Sequence, residues 1–156
     1  MMMSKRIVLL QALAATPADL RRLVGNLSPA GARQASPGSW SPIEVASHLL
    51  DVEARYRARL QRIVTEEQPS VPDILPPEAG YPVTGELPQL LEAFATAREE
   101  TLAFLKGLSA GEWQRRATHP TWGELTLRFF VQHLVEHDTE HLNQLALLKQ
   151  QTLKET

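Results

Sequence analysis

The sequence contains no cysteine, and this absence excludes disulfide bonds, thiolate metal sites and a cysteine nucleophile. No apolar run approaches the roughly 20 residues that a membrane-spanning helix needs, so no membrane partner is expected. Lysine and arginine are scattered along a chain of net charge −2, and no basic patch indicates binding to nucleic acid. The first residues lack the long apolar segment and the small-residue cleavage site of a signal peptide, which favours a cytoplasmic protein.

What remains is the composition of an ordinary globular protein, with 43% apolar and 22% charged residues. A chain of 156 residues is predicted to form a single domain over residues 1–156, with a core of its own. Apolar residues at helical spacing predict four main helices, and no alternating pattern of useful length indicates a strand. The helices are expected at about residues 4–26, 42–65, 87–107 and 127–150.

The second predicted helix has the clearest start signal in the chain. Ser41 is placed to cap this helix, Pro42 suits its first position, and Glu44 completes a capping box.

The first helix is less regular, because Pro17 removes a backbone donor and clashes with the preceding turn. A kink is therefore expected there, or a restart of the helix capped by Thr16.

A connection rich in proline separates the second and third predicted helices. It covers residues 66–86 and contains five prolines. A segment of this length without secondary structure is unusual inside a compact domain and needs a reason. A crossover is one such reason, because the chain must travel the length of a bundle before it starts a parallel helix.

Three of the five histidines indicate the chemistry of the chain. His137 and His141 lie one turn apart on an otherwise apolar stripe of the fourth helix. Two buried neutral imidazoles have four ring nitrogens, and each unpaired one costs about 1–3 kcal/mol. A shared metal ion would satisfy two of them. If His48 joins the pair from the second helix, three nitrogens bind the ion and a coordination position stays open, as in catalytic metal sites.

The other polar candidates near this site are weaker. A single histidine on an apolar face is usually a packed core residue with one hydrogen bond, so a purely structural role for the three histidines stays open. His119 is interpreted as a loop cap or as the rim of the site, and His133 as a neighbour of the pair rather than a ligand. Four acids could orient the histidines, although each is more commonly a solvated surface residue: Glu44, Asp51, Asp138 and Glu140.

A metalloprotease is an alternative that the sequence disfavours. His137, Glu140 and His141 match the spacing of a protease motif in which the glutamate acts as the base. The five-residue string is weak by itself, because many helices rich in glutamate and histidine contain it. The chain also ends too soon after it to supply a third ligand from a downstream helix.

Two stretches of the chain carry a resemblance to a known family. Residues 40–53 read Trp-Ser-Pro-Ile-Glu-Val-Ala-Ser-His-Leu-Leu-Asp-Val-Glu, and residues 133–144 read His-Leu-Val-Glu-His-Asp-Thr-Glu-His-Leu-Asn-Gln. Together with Phe94 and Arg98 in the third helix and the loop from His119 to Gly123, they resemble the DinB-like (DinB/YfiT) superfamily over nearly the whole chain.

The resemblance implies an all-α fold, a four-helix bundle with an up-down-down-up arrangement. This agrees with the long Pro-rich crossover between helices 2 and 3. The resemblance also implies a metal site formed by His48, His137 and His141, which usually holds nickel or zinc, with water in the open positions. Members of the family often form homodimers.

The implied function is that of a divalent-metal-dependent enzyme. Relatives include S-transferases that use bacillithiol, mycothiol-dependent isomerases and stress-induced proteins. We expect a thiol-dependent S-transferase acting on small electrophiles, with a low-molecular-weight thiol as cofactor, because the chain has no cysteine of its own. A metal-dependent hydrolase and a non-catalytic metal-binding stress-response protein are the alternatives. The reacting group would be a metal-bound thiolate or water, with Glu140 as a candidate supporting residue, and no basic pocket for an anionic thiol is evident.

Overall fold

Four long helices form the bundle in the computed structural model, which describes residues 4–76, 81, 83 and 85–154. Two single-turn helices and a short antiparallel hairpin lie in the connections. None of the described helices is long and apolar enough to cross a membrane. In chain order the elements are α1 (Lys5–Val24), α2 (Pro29–Ala32), α3 (Pro42–Thr65), α4 (Leu87–Lys106), α5 (Ala110–Trp113), β1 (Arg116–His119), β2 (Gly123–Thr126) and α6 (Leu127–Lys154).

Two clusters of buried apolar residues show in which direction each helix runs. One cluster contains the early parts of α1 and α6 and the late parts of α3 and α4. The other contains the late parts of α1 and α6 and the early parts of α3 and α4. The first and last helices therefore run one way and the middle two run the other way. This is the predicted up-down-down-up bundle, and that prediction is confirmed.

The start of α3 confirms the local signals in the sequence. The helix begins at Pro42, and the Ser41 hydroxyl oxygen accepts a hydrogen bond from the backbone N–H of Glu44. In return, the Glu44 carboxylate accepts from the backbone N–H of Ser41 at 3.1 Å. The cap holds the first turns of α3 in place, and His48 lies in its second turn.

The crossover after α3 brings the chain back so that α4 begins beside the start of α3. Its described part is held by hydrogen bonds rather than being structureless. The backbone N–H of Val71 donates to the carbonyl of Thr118, and that of Thr118 donates to the carbonyl of Pro69, each at 2.9 Å. Arg55 on α3 donates to the carbonyl of Leu75 at 3.1 Å. The predicted crossover is confirmed, and these bonds fix it against β1 and α3.

The prediction that the chain contains no strand was wrong. β1 and β2 have four residues each, too few for an alternating pattern to stand out. Gly123 opens β2 with a φ of 78°, a left-handed conformation that glycine adopts without strain. The crossover pairs with β1 through Thr118, a tertiary contact that no local pattern indicates.

Of the two outcomes expected at Pro17, a kink or a restart capped by Thr16, the restart does not occur, because α1 continues through Pro17. Proline has no N–H to donate to the carbonyl four residues earlier, which belongs to Leu13. Arg98 from α4 supplies the missing donor and lies 2.9 Å from that oxygen. Thr16 is buried and donates its hydroxyl to Asp138 at 2.7 Å instead of capping a helix.

Arg98 is the centre of a buried ionic cluster in the middle of the bundle. Its guanidinium donates to the Glu53 carboxylate of α3, with two contacts of 2.8 Å, and to the Asp138 carboxylate of α6 at 2.7 and 2.9 Å. Burial opposes the charge, but the hydrogen bonds to Asp138 and Glu53 outweigh it and raise the pKa of Arg98. Asp138 therefore binds Arg98 and Thr16, and the role suggested for it beside the histidines is not observed.

Candidate metal centre

The structure brings the three predicted histidines together between α3 and α6. His48 Nε2 lies 2.9 Å from His137 Nε2, which in turn lies 3.1 Å from His141 Nε2. One ligand atom from each ring can be chosen such that all lie within 4.8 Å of one another. The two helices run in opposite directions, and His48 in the second turn of α3 meets two residues in the middle of α6.

The approach of His137 Nε2 to both other Nε2 atoms fits a shared metal ion better than hydrogen bonding. Each imidazole nitrogen has either one hydrogen to donate or one in-plane lone pair. Hydrogen bonding at His137 Nε2 therefore accounts for only one of its two close neighbours. Ligand nitrogens about 2.0–2.1 Å from one ion, at angles of roughly 90–110°, lie about 2.9–3.4 Å apart. The observed 2.9 and 3.1 Å fall in this range.

The opposite ring nitrogens of His48 and His141 have partners that leave Nε2 free to coordinate. His48 Nδ1 lies 2.8 Å from the Tyr81 hydroxyl, which donates to Asp51 at 3.2 Å. Burial, with the nearby Asp51 charge, raises the pKa of Tyr81 to about 12, so the phenol keeps its proton and accepts from His48 Nδ1–H. His141 Nδ1 lies 2.8 Å from the Gln144 amide oxygen, which only accepts. Both contacts place the proton on Nδ1 and the lone pair on Nε2.

The environment keeps His48 and His137 neutral, which is the form that binds a metal. Burial, together with the neighbouring His141, lowers the pKa of His48 to about 4. The same two causes, followed by His48, lower the pKa of His137 to about 3. His137 Nδ1 is buried and has no hydrogen-bond partner among the described residues.

Trp40 covers the cluster from the residue before the helix cap. Its ring centre lies 4.8 Å from that of His48 and 6.2 Å from that of His141, and it is nearly parallel to the His141 ring. Its edge-on neighbour is Tyr81, at 5.6 Å. These contacts hold the ligand rings in place and surround them with apolar surface.

The weaker candidates lie outside the cluster. His133 Nδ1 is hydrogen-bonded to the Tyr56 hydroxyl. His119 Nδ1 accepts from the backbone N–H groups of Thr121 and Trp122, at 3.1 and 3.2 Å, and so closes the hairpin loop. Glu140 is exposed and, within the described part of the chain, shows no hydrogen bond to the three histidines.

Sequence reasoning missed two residues that orient the ligand rings. Gln144 follows His141 by three residues on the same face of α6, so helical spacing alone could have indicated it. Tyr81 lies in the Pro-rich crossover, 33 residues from His48, and no sequence signal connects the two. The Tyr81 hydroxyl lies between His48 and Asp51, the acid that the sequence offers as a partner of this histidine.

Fold and site together define a class of protein: an up-down-down-up four-helix bundle with three histidines converging between two of its helices. The family model of the DinB superfamily matches residues 12–145. The chain belongs to this superfamily, and the resemblance found in the sequence is confirmed.

Two solved structures are similar to the chain at low sequence identity. YfiT from Bacillus subtilis is described as "a probable metal-dependent hydrolase with an unusual four-helix bundle topology"; it is 21% identical, with 97% of this chain and 90% of that chain covered and a TM-score of 0.84. The four-helix bundle protein TT2238 is 22% identical, with 90% and 98% covered and a TM-score of 0.67. These likenesses show the fold. No protein with a curated description matches the chain.

Proposed function

We propose that the chain is a metal-dependent enzyme in which His48, His137 and His141 bind one divalent transition metal through Nε2. The observation that carries the proposal is the approach of His137 Nε2 to both other Nε2 atoms, at 2.9 and 3.1 Å. The partners of His48 and His141 support it, because they leave both Nε2 lone pairs free. Zinc and nickel suit three imidazole ligands.

The donor set favours catalysis over a structural role. Within the described part of the chain, the group of potential ligands contains these three histidines and no fourth histidine or carboxylate. When bound, a divalent ion with three neutral ligands keeps its charge, lowers the pKa of a thiol or water in an open position, and so supplies a nucleophile near neutral pH. Tyr81 and Gln144 would orient the ligand rings, and Trp40 would limit the access of water.

The first candidate reaction is transfer of a small electrophile to a low-molecular-weight thiol. It is supported by the membership of the superfamily. Because the chain has no cysteine, the thiol would come from outside the chain. The second candidate is hydrolysis, favoured by the similarity to YfiT and its description as a probable metal-dependent hydrolase. A cytoplasmic homodimer is the proposed form of the protein.

Metal analysis of purified protein tests the site. We expect about one divalent ion per chain in the wild type and none in a His137→Ala, His141→Ala double variant. His133→Ala is the matched control, because this histidine lies one turn before His137 and outside the cluster; it should keep the metal. Equal metal content in the wild type and the double variant would contradict the proposal.

Assays of metal-loaded and metal-free protein test the reaction. Bacillithiol with monochlorobimane measures thiol transfer, and p-nitrophenyl acetate without thiol measures hydrolysis. Metal-dependent turnover in the first assay supports the transferase, and turnover only in the second supports the hydrolase. A higher melting temperature with metal, but no turnover in either assay, would instead indicate a non-catalytic metal-binding protein.

A further inference from the structure

A cavity of about 220 Å³ adjoins the histidine cluster and shares His137 with it. Its walls include Tyr56 and Arg59 from α3 and His133 from α6. Leu75 and Trp122 also line it and are 68% and 41% exposed, so they mark the side that faces solvent. The volume is below the roughly 300–1,000 Å³ of drug-sized pockets. The cavity therefore suits a small molecule beside the proposed metal.

Arg59 is an unusual residue for such a wall, because its guanidinium is buried and, among the described residues, no carboxylate forms a salt bridge with it. Its side chain donates to the Pro72 carbonyl, and its guanidinium lies 4.9 Å from the centre of the Tyr56 ring and 5.3 Å from that of Phe130. Only 5% of the residue is exposed. Within the described residues it forms no ion pair with a carboxylate. Burial lowers the pKa of Arg59, as expected for a charge that has lost its water.

Three other arginines form salt bridges of the kind that Arg59 does not form with any described residue. Arg98, the other buried arginine of the described residues, lies between two carboxylates. On the same helix as Arg59, the more exposed Arg55 and Arg57 pair with Asp51 and Glu100 at 2.5 Å. A buried charge is unfavourable unless it is paired. Arg59 is thus the arginine of α3 whose buried charge a bound anion would stabilise most, and it lines the cavity.

Asp73 lies in the wall of the same cavity and its charge acts on Arg59, but its close contact is with another residue. Its Oδ1 atom lies 2.7 Å from His119 Nε2, and its side chain is 43% exposed. Because Asp73 makes this contact with His119 and no salt bridge with Arg59, the guanidinium can still bind an anion inside the cavity.

We infer that this cavity binds the carboxylate of a small, largely apolar organic acid through Arg59, which places the rest of the molecule beside His137. The inference rests on the proposed function, in which His137 and the other two histidines bind a metal ion next to this cavity. A planar guanidinium matches a carboxylate with two parallel hydrogen bonds, and the anion supplies the missing counter-charge. The side chains of Val52, Ile74 and Trp122 supply apolar surface for the body of the acid.

Titration of the full chain with benzoate and with neutral benzamide tests the inference. Calorimetry should show benzoate binding at least about tenfold more tightly than benzamide. Arg59→Gln should weaken benzoate binding by a similar factor, and Arg59→Lys by less, because the charge remains. Arg62→Gln is the matched control on the same helix: Arg62 pairs with Glu66 at the surface, and its loss should leave binding unchanged.

A second measurement needs no substitution and separates this inference from the metal proposal. In nitrogen-15 NMR spectra of the wild type, benzoate should shift the side-chain Nε–H signal of Arg59. The shift should persist after a chelator removes the metal, so a failure of the metal site would not remove it. Equal binding of benzoate and benzamide, an unchanged Arg59 signal, or benzoate binding that needs the metal and survives Arg59→Gln would overturn the inference.

Discussion

Replacing Arg98 with methionine is expected to destabilise the bundle more than any other single change at its ionic contacts. The guanidinium makes four contacts of 2.7–2.9 Å with Glu53 and Asp138, and all three side chains are at most 4% exposed. Methionine fills similar space but leaves two carboxylates buried without a counter-charge. The Leu13 carbonyl also loses its hydrogen-bond donor, because Pro17 has no N–H that could replace the Arg98 guanidinium.

Removal of one partner from a buried ion pair costs about 3–5 kcal/mol. For a chain of this size, each kcal/mol lowers the melting temperature by roughly 2–4 °C, so we expect a fall of about 6–20 °C. Thermal unfolding followed by circular dichroism measures it.

Arg57→Met is the matched control, because Arg57 and Glu100 also join α3 to α4, with Glu100 exposed. That pair should contribute at most about 1 kcal/mol. Adding Glu53→Gln and Asp138→Asn to Arg98→Met should recover part of the loss. If Arg98→Met costs no more than Arg57→Met, or if the combined variant is less stable still, uncompensated burial of charge is not the cause.

Three further predictions concern the metal centre and the helix that carries His48. As the pH falls from 6.5 to about 4, His48 should account for a loss of up to about 3 kcal/mol of stability in the metal-free protein, because unfolded histidine takes up protons in this range while buried His48, with a pKa of about 4, does not. His137, with a pKa of about 3, should add a loss of similar size. Urea unfolding across this range measures the loss, and an equally steep loss in His48→Asn would contradict the part assigned to His48. Tyr81→Phe removes the hydroxyl that orients His48 and should weaken zinc binding about 10–100-fold in competition with a chelator; unchanged affinity would show that the hydroxyl does not orient the ligand. Ser41→Ala removes the α3 cap and should cost about 0.5–2 kcal/mol in thermal unfolding, whereas no loss would show that the cap is dispensable.

Short-range features of this protein were readable from its sequence. Ser41, Pro42 and Glu44 placed the start of α3 because a helix cap involves groups within about four residues of one another. The spacing of His137 and His141 indicated a pair for the same reason, since one helical turn brings them to the same face. The family motifs added the expectation that His48 completes the cluster and that the helices run up, down, down and up.

Only the tertiary structure decided the contacts between distant parts of the chain. His48 and His137 are 89 residues apart, and Thr16 and Asp138 are 122 apart. The hydrogen-bond donor that replaces the missing N–H of Pro17 is Arg98, 85 residues beyond Leu13, whose carbonyl accepts the bond. Local propensity describes what a segment prefers by itself, whereas the pairing of a buried polar group depends on what packing brings beside it. For that reason the histidine pair followed from the sequence, but the hairpin contact, the Tyr81 partner and the burial of Arg59 beside the cavity did not.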